Sequence, residues 1–295
     1  MITETLRERL LRGPAVCDGA MGTMLQAAGL PPGHCTEEWN LSHPEVVAGV
    51  HRAYLQAGAD VLETNTFGAN RIALARHGLE AKVVELNRLG VELALGECGS
   101  DRWVLGSVGP LGRLVKPWGE LGEAEAFAAF REQIEAQLNA GAHGVILETL
   151  GVLEEAVIAI RAAQEVGVPN IVCTMTFDTG GRTFMGVSPS QALQELRQAG
   201  AHLVGANCGG GPDTALAAVQ EMHRQAPDEP LVAQPNAGKP HLQDGATVFD
   251  LSAEQMAAYV PSFLESGVRL LGGCCGTTPE HIRALVERLN LETTE

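Results

Sequence analysis

The most constraining feature of this 295-residue chain is a phrase that recurs along it: a helical stretch ending in Ala-Gly-Ala or a near variant, a short apolar run, then a polar or glycine-rich turn. It stands at Ala57–Asn65, Ala140–Thr149 and Ala199–Cys208, and with Ser-Gly-Val as its opening at Ser266–Cys274. Glycine just after the last periodic residue marks a helix C-terminus, where a left-handed residue closes the last carbonyls. The apolar run behind it reads as a parallel strand covered on both faces. Four further runs, Ala15–Asp18, Trp103–Val108, Asn170–Met175 and Leu231–Asn236, fill the intervals and bring the count to about eight β-then-α units.

Eight such units in this length predict an α/β chain folded as one (β/α)8 TIM barrel over residues 1–295. A doubly wound open sheet is the alternative, and no Gly-x-Gly-x-x-Gly follows the first strand to favour it. Capping boxes are expected at Ser42/Glu45, Ser188/Gln191, Ser252/Gln255 and Thr277/Glu280. Pro44, Pro189 and Pro279 suit first turns, whereas Pro261 falls late in a helical stretch and predicts a kink or break. The opening segment Met1–Leu11 reads as a charged helix and not as a signal peptide.

A formal charge of −16, with 20 scattered Lys and Arg, argues against nucleic-acid binding. No apolar run approaches the roughly 20 residues that cross a bilayer, so no membrane role is expected. Seven cysteines without an export signal suit a reducing cytoplasm and metal or catalytic thiols better than a disulfide framework.

Barrel chemistry gathers where strands end. The residues there are Asp18, Glu63-Thr64-Asn65, Ser107, Glu148-Thr149, Thr174 and Thr176, Asn207-Cys208, Asn236 and Cys274-Cys275. Adjacent cysteines on a regular strand would face opposite sides. Gly272, Gly273 and Gly276 let the backbone turn so that both sulfurs face one point. Strands six, seven and eight are neighbours, so Cys208, Asn236, Cys274 and Cys275 should converge. Three thiolates with a vacant fourth position describe a catalytic Zn2+ better than a structural one. Asn236 is either a weak fourth ligand that substrate displaces or a turn residue of Pro235-Asn236-Ala237-Gly238.

Asp18 and Glu148 end strands one and four, where an unpaired buried acid is costly. They suit recognition of an ammonium group; general acid/base catalysis and solvated rim acids are the alternatives. Backbone N–H groups around Gly19 and Ala20 would meet a substrate carboxylate, or a phosphate. Cys17 and Cys173 read as small buried hydrophobes, Cys35 and Cys98 as loop residues, and no histidine pair has ligand spacing.

Asp18-Gly19-Ala20-Met21-Gly22-Thr23, Glu63-Thr64-Asn65-Thr66-Phe67, Ser107-Val108-Gly109-Pro110, Glu148-Thr149, Gly205-Ala206-Asn207-Cys208 and Gly272–His281 together resemble, over nearly the whole chain, the homocysteine S-methyltransferases. The likeness is greatest to the N-terminal module of the cobalamin-dependent methionine synthases. The resemblance implies that Cys208, Cys274 and Cys275 bind zinc and that the thiol of L-homocysteine takes the open position, activated as a thiolate for methylation to methionine. It implies that Asp18 and Glu148 hold the substrate amino group, that backbone near Gly19 meets its carboxylate, and that Asn236 occupies the metal when substrate is absent. It further implies methylcobalamin as the methyl source. The chain ends soon after the eighth helix and has no Asp-x-His-x-x-Gly corrinoid motif, so a corrinoid-binding protein or domain is expected as partner. The alternatives are a cobalamin-independent enzyme using S-methylmethionine or betaine, a Schiff-base aldolase for which Lys239 is the sole rim lysine, and a non-catalytic zinc-binding interaction module.

Overall fold

The computed structural model describes residues 4–178, 180–243 and 246–294; residues 1–3 of the predicted opening helix lie outside them. The eight expected strands are Ala15–Val16, Val61–Glu63, Trp103–Val108, Gly144–Leu150, Ile171–Met175, Leu203–Cys208, Leu231–Pro235 and Val268–Leu271, here called strands one to eight. They pair in parallel in chain order, and strand eight pairs with strand one. Closure between strands one and two is a single Cys17–Val61 bridge, supported by the Asp18 N–H on the Val61 carbonyl at 2.9 Å and the Asp60 N–H on that of Val16 at 2.7 Å. The open sheet is thereby excluded.

Strands covered outside by helices and inside by one another must be apolar on both faces. Accordingly Leu105, Ile146, Val172, Leu203, Val232 and Leu270 form one buried cluster in the barrel interior. Helix Leu6–Leu11 contributes Leu6 and Leu10 to that cluster and donates the Leu6 N–H to Asn170 just before strand five. The helix therefore stoppers the end of the barrel opposite the strand termini. Its capping box, Thr5 with Glu8, has the expected Ser/Thr-x-x-Glu chemistry.

The recurring phrase folds as read: Gly58, Gly141, Gly200 and Gly267 all have positive φ, from 77° to 107°. Ser252 and Gln255 form their reciprocal box, and Ser188 caps the Gln191 N–H at 3.2 Å. Two expected boxes are absent. Ser42 is the last residue of the short helix Trp39–Ser42, so His43 precedes Pro44 as the cap. Thr277 turns its hydroxyl toward the strand-eight loop, described below. Pro261 does break its helix, dividing Ala253–Ala257 from Val260–Glu265. A small antiparallel pair, His241–Gln243 with Ala246–Val248, decorates the loop after strand seven and was not foreseen. Among the described residues no helix is long and apolar enough to cross a membrane.

Candidate metal centre and substrate pocket

Strand eight ends at Leu271, and the chain crosses the rim as a loop stitched to both neighbours. Gly272 and Cys274 donate their N–H groups to Ala233 and Pro235 of strand seven, at 3.0 and 2.9 Å, while Gly273 donates to the Asp18 carbonyl at 3.0 Å. A side chain at residue 272 would sit 2.8 Å from Cys17 Cβ, so only glycine permits this approach. Thr277 Oγ1 donates to the Cys274 carbonyl at 2.7 Å and accepts the Ala20 N–H at 3.0 Å. That explains why it does not cap the last helix. Gly276, at φ +79°, makes the turn that frees Cys274 and Cys275 from strand alternation.

Cys208 ends strand six with φ 60°, a conformation rare outside glycine. The three sulfurs of Cys208, Cys274 and Cys275 lie within 4.8 Å of one another. Hydrogen bonds from the Cys274 thiol and then the Cys275 thiol pull Cys208 down to about 3, and Asn236 donates to it as well. The same bonds push Cys274 well up and Cys275 up to about 12. One sulfur thus carries charge while two hold protons against it, an electron-rich trio that a cation would deprotonate further. Asn236 is buried; its Nδ2 donates to the Gly209 carbonyl at 2.8 Å, while its Oδ1 has no partner among the described residues. Three soft sulfurs and an orphaned oxygen beside them match the donor preferences of Zn2+.

Cys17, Asp18 and Glu63 also bring their ligand atoms within 4.8 Å. Burial, and then the charges of Glu63 and Asp18, push the Cys17 thiol well up. It donates to Glu63 at 3.3 Å. Cys17 is buried as expected, but it is polar in use.

A cavity of about 250 Å³ opens beside the three cysteines. Its wall includes Gly19, Ala20, Glu63, Ser107, Glu148 and Thr149, and among the described residues no lysine or arginine. Gly19 is required by contact: a Cβ there would lie 2.6 Å from Thr277 Oγ1 and 2.9 Å from the Tyr54 hydroxyl. The Ala20 N–H, expected to be offered to substrate, is already engaged by Thr277. Glu148 accepts from Ser107 Oγ at 2.5 Å and from Asn207 Nδ2 at 3.4 Å. Asp18 is buried, accepts the Glu63 N–H at 3.0 Å and is not part of the wall. Glu63 stands there instead, held by Gln234 Nε2 at 2.5 Å.

Burial raises all three acids above the ordinary carboxylate range. For Glu148 the charge of Glu63 adds to burial, and for Glu63 the charge of Asp18 adds to it, placing Glu63 at about 7. Asp18 is raised chiefly by burial. Such a recess is short of positive charge, and an ammonium group would supply it. The cavity thus sets three cysteines on one side and a cluster of buried acids on the other.

Sequence reasoning brought the three cysteines, Asn236, Asp18, Gly19, Ala20 and Glu148 to one rim, and the structure gathers them there. It placed Glu63, Ser107 and Asn207 on that rim without giving them a role, and did not single out Gln234. The Glu-Thr pair repeated at 63–64 and 148–149 was the available signal for Glu63; Gln234 and Asn207 act through tertiary contacts that no local pattern announces.

Residues 15–289 match the family model described as homocysteine S-methyltransferase. The chain is 34% identical over 300 residues to the methionine synthase of Mycobacterium tuberculosis and 34% identical over 311 residues to that of Mycobacterium leprae, covering 96% and 98% of this chain. It spans about a quarter of the length of these curated relatives, 25% of each. Its fold superposes on the metallated form of the homocysteine methyltransferase MmuM of Escherichia coli with a TM-score of 0.81 and 28% identity, covering 96% of this chain and 99% of that one. By the reach of the family match and by these relatives, the chain belongs to the homocysteine S-methyltransferase family.

Proposed function

We propose that this chain binds L-homocysteine and presents its sulfur for methylation, giving methionine. The observation that carries the reading is the shared cavity, with three convergent cysteines on one side and Glu63 and Glu148 on the other. Cys208, Cys274 and Cys275 would hold Zn2+, with Asn236 Oδ1 the nearby oxygen donor. A bound zinc would favour the thiolate form of a substrate thiol, the nucleophilic form that is scarce at neutral pH. Glu148 and the neighbouring acids receive the amino group, and Ser107 and Asn207 hold the Glu148 carboxylate in place. Gly19 keeps the wall open where the substrate carboxylate would lie. Acceptance of the ammonium by a charged recess orients the sulfur, which is where an enzyme gains most from binding energy.

The methyl donor in this reading is a methyl-corrinoid carried by a partner or by a further domain. The motif resemblance to the cobalamin-dependent branch supports that choice; in a second reading, which the match to 99% of the MmuM chain allows because it calls for no further domain, a small activated donor such as S-methylmethionine or betaine serves directly. The reading places the reaction in the cytoplasm. Purified chain with zinc and homocysteine, supplied in parallel with methylcobalamin, S-methylmethionine, betaine and methyltetrahydrofolate, separates the two. The first reading expects slow methionine formation from free methylcobalamin and none from methyltetrahydrofolate. Efficient turnover with S-methylmethionine or betaine replaces it with the second, and no methionine from any donor refutes both.

A further inference from the structure

The geometry points to Glu63 as the residue that, together with Glu148, grips the substrate ammonium and so selects an amino-acid thiol over a plain thiol. This rests on the homocysteine reading above and deepens it. Glu63 ends strand two and lines the same cavity as Cys208 and Cys274. Its Oε1 is fixed by Gln234 at 2.5 Å and by the Cys17 thiol at 3.3 Å. Its carboxyl lies close enough to that of Glu148 for the two to share a hydrogen bond. Asp18 accepts the Glu63 N–H at 3.0 Å and brings a third acid alongside.

Positive charge is what this recess lacks. Gln234 is buried, spends its amide donor on Glu63, and has no partner for its own Oε1 among the described residues. Among the described residues no lysine or arginine belongs to the cavity wall. An ammonium group brings one positive charge and three donors, with no acceptor to clash. A site built to bond a substrate N–H also rejects analogues without one, since its own polar groups are then left unpaired.

The test compares L-homocysteine with 4-mercaptobutanoate, which keeps the thiol and carboxylate and lacks the amine. Calorimetric titration of both into the zinc-loaded chain, wild type and Glu63→Gln, reads the discrimination directly. The expected result is that Glu63→Gln weakens homocysteine at least about tenfold, as for loss of a charged hydrogen bond, and leaves 4-mercaptobutanoate unchanged. Glu63→Asp keeps the charge one methylene further back and should retain part of the discrimination; the same two titrations on it provide the test should Glu63→Gln not fold. Equal weakening of both thiols, or of neither, overturns the assignment of Glu63 alone. A wild-type chain that binds neither thiol overturns the homocysteine reading and this inference with it.

Discussion

Asn207 holds Thr149 at both ends of its amide: its Oδ1 accepts the Thr149 N–H at 2.9 Å and its Nδ2 donates to Thr149 Oγ1 at 2.7 Å. Thr149 and Cys208 each have φ 60°, strained for residues with a Cβ. One side chain thus ties the strained residue beside Glu148 to the strand whose last residue, Cys208, is a candidate metal ligand. Nδ2 also approaches Cys274 Sγ at 3.9 Å. Asn207→Ala should therefore weaken zinc by about 10- to 100-fold, the usual effect of losing a group that orients metal ligands, and weaken homocysteine as well. Zinc competition with a chelator and thiol titration measure the two; a loss confined to one of them would show that the clamp does not couple the sites.

The cysteine trio makes a sharper demand. Cys208→Ala, Cys274→Ala and Cys275→Ala should each lose tight zinc binding while the barrel stays folded, because the sulfurs sit on the rim and the apolar interior lies below them. Metal analysis alongside circular dichroism decides it. Full zinc in all three variants would remove the site.

Glu148→Gln should mainly weaken homocysteine binding and leave zinc in place. Ser107 and Asn207 can still bond the amide, so the wall keeps its shape while the charge is gone. If binding is intact and only the chemical step slows, with a pH-dependent loss, Glu148 acts as an acid or base instead.

Much of this arrangement was legible in the chain itself. Gly58, Gly141, Gly200 and Gly267 announced four helix ends because left-handed φ has a residue signature, and the strands after them followed. Cys208, Cys274 and Cys275 were legible because strand order alone makes strands six and eight near neighbours on a closed barrel. Ser42 and Thr277 misled for a common reason: a capping pattern reports what a hydroxyl can do locally. Thr277 instead bonds the Cys274 carbonyl three residues back and the Ala20 N–H, 257 residues away in sequence. Glu63 was legible as a strand-end residue but its role was not, because that rests on Gln234, 171 residues away.

The buried acids predict how stability depends on pH. Glu63 titrates at about 7 in the folded chain against 4.5 for an ordinary glutamate, through burial and then the Asp18 charge, and Asp18 and Glu148 are raised too. A carboxyl raised on folding binds its proton more tightly in the native state. Its contribution is complete below the unfolded value and is lost as pH climbs through the folded one. Without metal or substrate, the melting temperature should fall as pH rises from about 4.5 to about 7, and Glu63→Gln should flatten that fall. A melting temperature that rises across this window would contradict the assignment.

The central claim is that a substrate sulfur joins the three rim cysteines at one metal. X-ray absorption at the zinc edge, recorded on the zinc-loaded chain before and after L-homocysteine, tests it most directly. Three sulfur neighbours and one lighter atom should become four sulfurs when homocysteine is added. A coordination shell that homocysteine leaves unaltered would contradict the account and mark the zinc as a structural ion.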